Sequence, residues 1–240
     1  MLGIQRKGRT TTVETTVVPR CLGIIMDGNR RWAKSHGLPS FEGHRRGYAK
    51  LKKLTGWAKE AGVPYLIVYA FSTENWNRTK EEVEYLMGLF CVMMGDLLET
   101  AKAEKTRVIF IGQRERFAED LVEGMRNVEE KTQKYTRLTL GVALSYGGRS
   151  EILSAVRSLA GTDLSLLNEE EFSKKLWTKD FPDPDMIIRT SGERRTSGFL
   201  TWQSVYSELF FTDTYWPAFS KKEFLSLLAE YALRKRRHGV

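Results

Sequence analysis

Cysteine is nearly absent from this 240-residue chain: Cys21 and Cys91 are the only two, and neither sits in a metal-ligand spacing. That excludes a disulfide framework, and two lone thiols suit a reducing compartment. Long apolar runs are missing as well. Residues 1–16 are polar and charged, with no secretory apolar region. The uncharged apolar run from Tyr85 to Gly95 is too short to span a bilayer. Together these absences point to a cytoplasmic protein, with contact at a membrane surface left open. The familiar nucleotide and hydrolase signatures are lacking too: no G-x-x-x-x-G-K-[ST], no G-x-G-x-x-G, no G-x-S-x-G and no H-E-x-x-H occurs.

What is present is a chain that is 41% apolar with six Trp, nine Tyr and twelve Phe, enough for one sizeable core and too aromatic for disorder. There is no internal repeat and no low-complexity stretch. The net charge of +8 is concentrated at the two ends. Arg6, Lys7, Arg9 and Arg20 face only Glu14 in the first twenty residues, and Arg234 to Arg237 are all basic. Solvated tails and attraction to anionic lipid or nucleic acid are the available readings. The nearly neutral middle argues against a dedicated nucleic-acid binder. Residues 1–18 read as a flexible basic arm, and 19–240 as one folded domain.

The apolar pattern predicts strands at CLGIIM (21–26), YLIVYAF (65–71), RVIFIG (107–112), RLTLGVALS (137–145), DMIIRT (185–190) and ELFFT (208–212). Helical spacing falls at 44–61, 79–102, 114–133, 149–160 and 169–177, with a last helix opened by Ser220 and Glu223. Thr79 with Glu82 and Ser220 with Glu223 are capping-box patterns, and Asn168 suits a cap. Alternating strands and helices, with strands apolar throughout, predict an α/β fold: a mostly parallel sheet of about six strands covered by helices.

In such a sheet, ligands bind beyond the carboxyl ends of the strands. The residues there are of one type: Asp27, Asn29, Arg30 and Arg31 after the first strand, and Ser72, Asn75 and Arg78 after the second. Tyr146, Gly147, Gly148 and Arg149 follow the fourth, and Arg189, Arg195 and Ser197 belong to the fifth. Arginine forks, small hydroxyls and glycine-rich backbone suit phosphate oxygens. Asp27, a lone acid among cations, suits an anchor for Mg²⁺ shared with phosphate, with Glu208 as a second acid. Asp-Gly-Asn is equally a common turn sequence. The helix over 79–102 is apolar nearly all round, which fits plain core or the wall of an apolar cavity.

GIIMDGNRRWAK (23–34), GHRRG (43–47), YAFSTENWNR (69–78), LSYGGR (144–149) and RTSGERRTSGFLTWQSVYSELFF (189–211) together resemble the cis-prenyltransferases, in order and over nearly the whole chain. The resemblance implies a Mg²⁺-dependent homodimer that condenses isopentenyl diphosphate onto an allylic diphosphate, usually farnesyl diphosphate. The growing cis chain would lie in an apolar tunnel between helices and sheet. A medium-length, undecaprenyl-like product is the expectation, with short-chain or atypical-primer synthesis and a silent partner subunit as the alternatives.

Carried over motif by motif, the resemblance makes Asp27, His44 and Asn75 the catalytic candidates. Gly28, Asn29, Arg30, Arg31, Trp32, His44, Ser72, Trp76 and Arg78 would hold the allylic diphosphate. Arg189, Arg195 and Ser197 would hold isopentenyl diphosphate. Asp27 and Glu208 would serve the metal, and Ala70, Leu86, Phe90 and Leu138 the tunnel. Arg237 and Gly239 match an R-x-G ending that would reach across the dimer. Three positions depart from the family pattern: Ser40 stands where many members carry arginine, Arg194 where His or Lys is common, and Gly198 where Asn is frequent. Arg45 or Arg46 would have to compensate for Ser40.

Overall fold

The computed structural model describes residues 17–234. Most of the predicted arm over 1–18, and the predicted tail residues Arg237 and Gly239, lie outside the described residues. Six strands form one sheet: β1 (Cys21–Ile25), β2 (Tyr65–Ser72), β3 (Thr106–Ile111), β4 (Leu138–Tyr146), β5 (Met186–Arg189) and β6 (Glu208–Phe211). Their order is β3-β4-β2-β1-β5-β6, and every pairing is parallel. The helices are α1 (Asn29–Ser35), α2 (Ser40–Glu60), α3 (Lys80–Ala103), α4 (Glu119–Thr132), α5 (Gly148–Ser158), α6 (Glu169–Ser173) and α7 (Lys221–Leu233). The three predicted caps are in place: Thr79, Asn168 and Ser220 each accept the backbone N–H three residues on.

Each central strand is buried on both faces, so its residues alternate between two apolar layers. Leu22, Ile24, Leu66, Val68, Leu140 and Val142 face the layer closed by α2, α3, α4 and α7. Cys21, Ile25, Ile67 and Tyr69 face a thinner layer closed by Phe199 and Leu200. The outer edge of β3 is capped by side chains of α4: Val108 N–H donates to Thr132 Oγ1 and Phe110 N–H to Glu129 Oε1. Arg114 bridges Glu129 and the Phe110 carbonyl, which explains why α4 starts at Glu119 and not at 114. The exposed β-edge is thereby blunted.

Two local features shape the ligand end. Helix α1 was not predicted from the residues, because NRRWAKS has one buried side chain, Ala33, and no apolar stripe. It is held by α2, which crosses it where Gly43 and Gly47 leave no side chain. A Cβ on Gly43 would lie 2.1 Å from the Asn29 carbonyl oxygen, and one on Gly47 2.3 Å from Asn29 Oδ1. The glycines of GHRRG therefore seat the helix that follows Asp27. The second feature is a register shift between β2 and β4 from Tyr69 to Ser72. Ala70 has no partner there and turns towards the cavity, as β-bulges near active sites do.

Candidate active site

All four loops that the parallel sheet predicts on one rim open into a single cavity of about 970 Å³. Its polar end is made by Asp27 to Arg31, Ser72, Asn75, Arg78, Gly147 to Arg149, Arg189, Glu193 and Arg195 to Gly198. Its apolar end runs between the sheet and helices α2 and α3, past Leu51, Leu86, Phe90, Met94, Leu97 and Val142.

Asp27 is the hub of the polar end. Its Oδ2 accepts from Arg189 Nη2 at 2.8 Å, and Oδ1 accepts from Gly28 N–H at 2.6 Å and lies 3.2 Å from Arg31 Nη2. Gly28 adopts φ 97°, a left-handed conformation, so the chain can turn straight from β1 into α1 around this carboxylate. Burial works to raise the Asp27 pKa. The Arg189 hydrogen bond and charge, then Arg31 and the Gly28 N–H, more than offset it and hold the carboxyl below its usual range. Arg189 is buried; its Nη1 donates to the Arg195 carbonyl at 2.6 Å and to Ser197 Oγ at 2.7 Å, while Nε has no partner. Thr190 Oγ1 fixes the β1–β5 junction from below, donating to the Asp27 carbonyl and accepting from the Asp27 N–H.

A carboxylate absent from the predicted site, Glu193, joins the two arginine groups. Its Oε1 lies 3.1 Å from Arg31 Nη1 and its Oε2 2.5 Å from Arg195 Nη1. Glu193 thus shares Arg31 and Arg195 through partly exposed pairs, and a phosphate group placed on these two arginines would compete with it. Arg30 and Arg78 converge on Glu82 across the cavity mouth. On the loop after β2, Ser72 N–H donates to Asn75 Oδ1 and locks the 3-10 turn over Thr73–Asn77.

Six residues named from the sequence are placed elsewhere. Glu208 begins β6 in register with Met186, which aligns with Leu22 on β1. Asp27 lies five residues further along that direction, roughly 16 Å at strand spacing, so the two acids do not share one metal within a chain. Glu208 instead pairs with Arg234 at 2.7 Å. Leu138 starts β4 at the far end of the sheet, fully buried, and does not line the cavity. Trp32 stacks on His36 with Arg46 over its ring, outside the cavity. Trp76 packs on Phe71 and Phe117 and donates its indole N–H to Ser145 Oγ at 2.8 Å, so it braces the turn and does not touch ligand space. Arg45 and Arg46 both pair with Glu42 on the exposed side of α2, and neither lines the cavity.

A family model described as "Putative undecaprenyl diphosphate synthase" matches residues 25–239. An isoprenyl transferase of Thermotoga maritima is 48% identical over 227 residues, covering 92% of this chain and 97% of the relative. The chain belongs to the undecaprenyl diphosphate synthase family of prenyl transferases. A Pyrococcus horikoshii tritrans,polycis-undecaprenyl-diphosphate synthase (geranylgeranyl-diphosphate specific) is 43% identical over 235 residues, covering 95% of this chain and 89% of the relative. The crystal structure of lavandulyl diphosphate synthase from Lavandula x intermedia, in complex with dimethylallyl diphosphate, superposes with a TM-score of 0.89 at 33% identity, covering 95% of this chain and 100% of that one.

Two further residues of this prenyl transferase stand out. His44 lines the cavity, and its Nε2 is buried without a partner. Burial first, then the neighbouring Arg78, push its pKa down to about 4; Glu82 pulls it partly back up, and Arg30 adds a smaller downward push. A folded-state pKa below the unfolded value of about 6.5 means that the unfolded chain takes up this proton first as pH falls. Stability is therefore full above about pH 6.5 and falls by up to about 1.4 kcal/mol per pH unit on the way down towards pH 4. Urea unfolding across this range should show that slope in the parent and lose it in His44→Gln. Equal slopes in both would place the effect elsewhere.

Glu151 is the second, and it was missed because it reads as an ordinary first-turn acid of a helix. It is fully buried with no cation among its partners. It accepts from Tyr146 Oη at 2.6 Å, Gln203 Nε2 at 2.9 Å, and Thr178 N–H and Oγ1 at 3.1 and 3.0 Å. The network pins the start of α5 directly behind Gly147 to Arg149, so it positions the cavity wall without touching a ligand.

Proposed function

We propose that this chain extends an allylic diphosphate with isopentenyl diphosphate units, forming cis double bonds and a medium-length polyprenyl diphosphate. The observation that carries the reading is the continuity of one cavity, from an arginine-lined polar end to an apolar channel between α2, α3 and the sheet. At roughly 30 Å³ per small heavy-atom group a five-carbon unit needs about 150 Å³, so 970 Å³ houses several units and not one alone. The structural relative bound to dimethylallyl diphosphate has the same fold, so the fold by itself does not choose between one coupling and many, and the reading rests on the extent of this cavity.

The division of labour is the one the family resemblance implies, laid on the residues that line the cavity. Arg30, Arg31 and Arg78 form the side that receives the allylic diphosphate, with His44, Ser72 and Asn75 beside its first carbons. Arg189, Arg195 and Ser197 form the side that receives isopentenyl diphosphate. Asp27 stands between them. Among the described residues no three acids, histidines or cysteines form a metal cage. A single ionised carboxylate suits Mg²⁺, which keeps water and phosphate oxygens as its other ligands. When bound, the ion supplies positive charge to the diphosphate that departs. The arginines add their own charge as the allylic C–O bond breaks, and the narrow channel keeps water from the carbon chain.

We extend the proposal to a homodimer. Leu153 and Val156 of α5, and Val205, Tyr206 and Leu209 on the segment that packs against α5 through Trp202, are exposed beside the open edge of β6. No helix among the described residues is long and apolar enough to cross a membrane.

The test is incubation with farnesyl diphosphate and labelled isopentenyl diphosphate, with and without Mg²⁺, resolving products by length. A ladder ending in one medium-length product, seen only with the metal, supports the reading. A single condensation, or none with farnesyl, geranylgeranyl and dimethylallyl diphosphates, overturns it.

A further inference from the structure

Helix α4 carries a glycine at its middle, Gly124, where alanine would favour the helix. Gly43 and Gly47 of α2 make room for α1, while Gly56, Gly88 and Gly95 face open space, with nothing within 4 Å of where a Cβ would stand. Gly124 differs. A Cβ there would lie 3.2 Å from Met94 Cγ and 3.5 Å from Met94 Cβ. Met94 is a buried residue of α3 that lines the cavity, beside Phe90 and Leu97. It is backed by α4, whose flanking residues Leu121 and Met125 are fully packed. The first contact is tighter than ordinary van der Waals separation, so any side chain at Gly124 must move Met94. The thioether chain is flexible, and the cavity is the space into which it yields.

We propose that Gly124 is a specificity-determining position for product length, acting through Met94. The missing side chain on α4 lets Met94 lie back against that helix and opens the bore of the channel. Gly124 touches no ligand itself. It sets how far the wall stands from the carbon chain, and so at which length the chain stops gaining contacts. The inference rests on the elongation reading above, because only a stored, growing chain would sense the bore.

The experiment has two readouts. The first is the affinity of unreactive n-alkyl bisphosphonates of increasing length. In the parent, affinity climbs by about fourfold for each methylene buried and then levels off. Gly124→Leu should reach that plateau at a shorter chain, and Gly124→Ala should fall between the two. Met94→Ala should move the plateau to longer chains, and combined with Gly124→Leu it should restore the parent's. The second readout is the elongation ladder, which should shorten and recover in the same order. All variants should unfold cooperatively, and Gly124→Ala no earlier than the parent; if Gly124→Leu does not fold, Met94→Phe narrows the same wall and takes its place. Plateaus at one length in every folded variant overturn the proposal whether or not elongation occurs. A parent that binds the series but forms no ladder overturns the elongation reading, and leaves the bore measured by the plateau.

Discussion

Asp27→Asn is expected to leave the chain folded and to lower turnover by roughly 10²–10³-fold, the scale for removing one group that stabilises charge in the transition state. The amide keeps the size of the side chain and an oxygen for Arg189 Nη2 or the Gly28 N–H. On the proposed reading it removes the charge that would draw a divalent cation to the diphosphates. Asp27→Ala is a different experiment. It leaves the buried Arg189 guanidinium without its anion, and breaking such a pair costs about 3–5 kcal/mol when both partners are fully buried. Asp27 is 28% exposed at its side chain, so the loss falls at or below the lower end. Turnover and thermal unfolding measured on both variants separate the two roles. A fully active Asp27→Asn would remove the carboxylate from the chemistry and leave it as an ion-pair partner for Arg189.

Arg189→Lys should raise the KM for isopentenyl diphosphate by about 10²-fold, while the KM for the allylic substrate changes far less. The guanidinium makes three hydrogen bonds with two nitrogens, to Asp27, Ser197 and the Arg195 carbonyl. Lysine keeps the charge but cannot reproduce the planar fork. With the fork no longer held in place, losing one or two bonds to the charged diphosphate, at about 1.5–3 kcal/mol each, gives that factor. The 195–197 turn should loosen as well, because Arg189 is what ties it to the end of β5. About 1 kcal/mol corresponds to roughly 2–4 °C in a chain of this size, so a lower Tm should accompany the kinetic change. Equal effects on both KM values would mean that Arg189 supports the whole rim and not one diphosphate.

The sheet was legible because its strands are short, apolar and bounded by turns, and all six predicted strands are present and parallel. The rim followed from that topology, which is why Asp27, Ser72, Arg149, Arg189 and Ser197 could be gathered from distant parts of the sequence. What was not legible depends on direction, not on residue type. Trp76 sits in the right loop, but its ring turns towards Phe117 and Ser145, away from the cavity. Leu138 is apolar like its neighbours on β4, yet it stands at the end of the strand remote from the channel. Glu208 lies on the strand next to Arg189, but register puts it several residues below Asp27. Glu193 was hidden by its setting among arginines, where it reads as one acid in a basic loop. Met94 was legible as a member of an apolar helix, but its dependence on Gly124 needs the packing of α3 on α4.

The central claim is that two diphosphates lie on either side of Asp27 and take over the arginines that Glu193 holds in the free chain. A crystal structure with Mg²⁺, isopentenyl diphosphate and an unreactive thio analogue of farnesyl diphosphate tests it most directly. The account predicts one diphosphate on Arg30, Arg31 and Arg78, the other on Arg189, Arg195 and Ser197, Glu193 released from Arg31 and Arg195, and the farnesyl chain running past Ala70 towards Met94. Both diphosphates bound away from these arginines, or Glu193 still bridging Arg31 to Arg195 with both ligands in place, would contradict it.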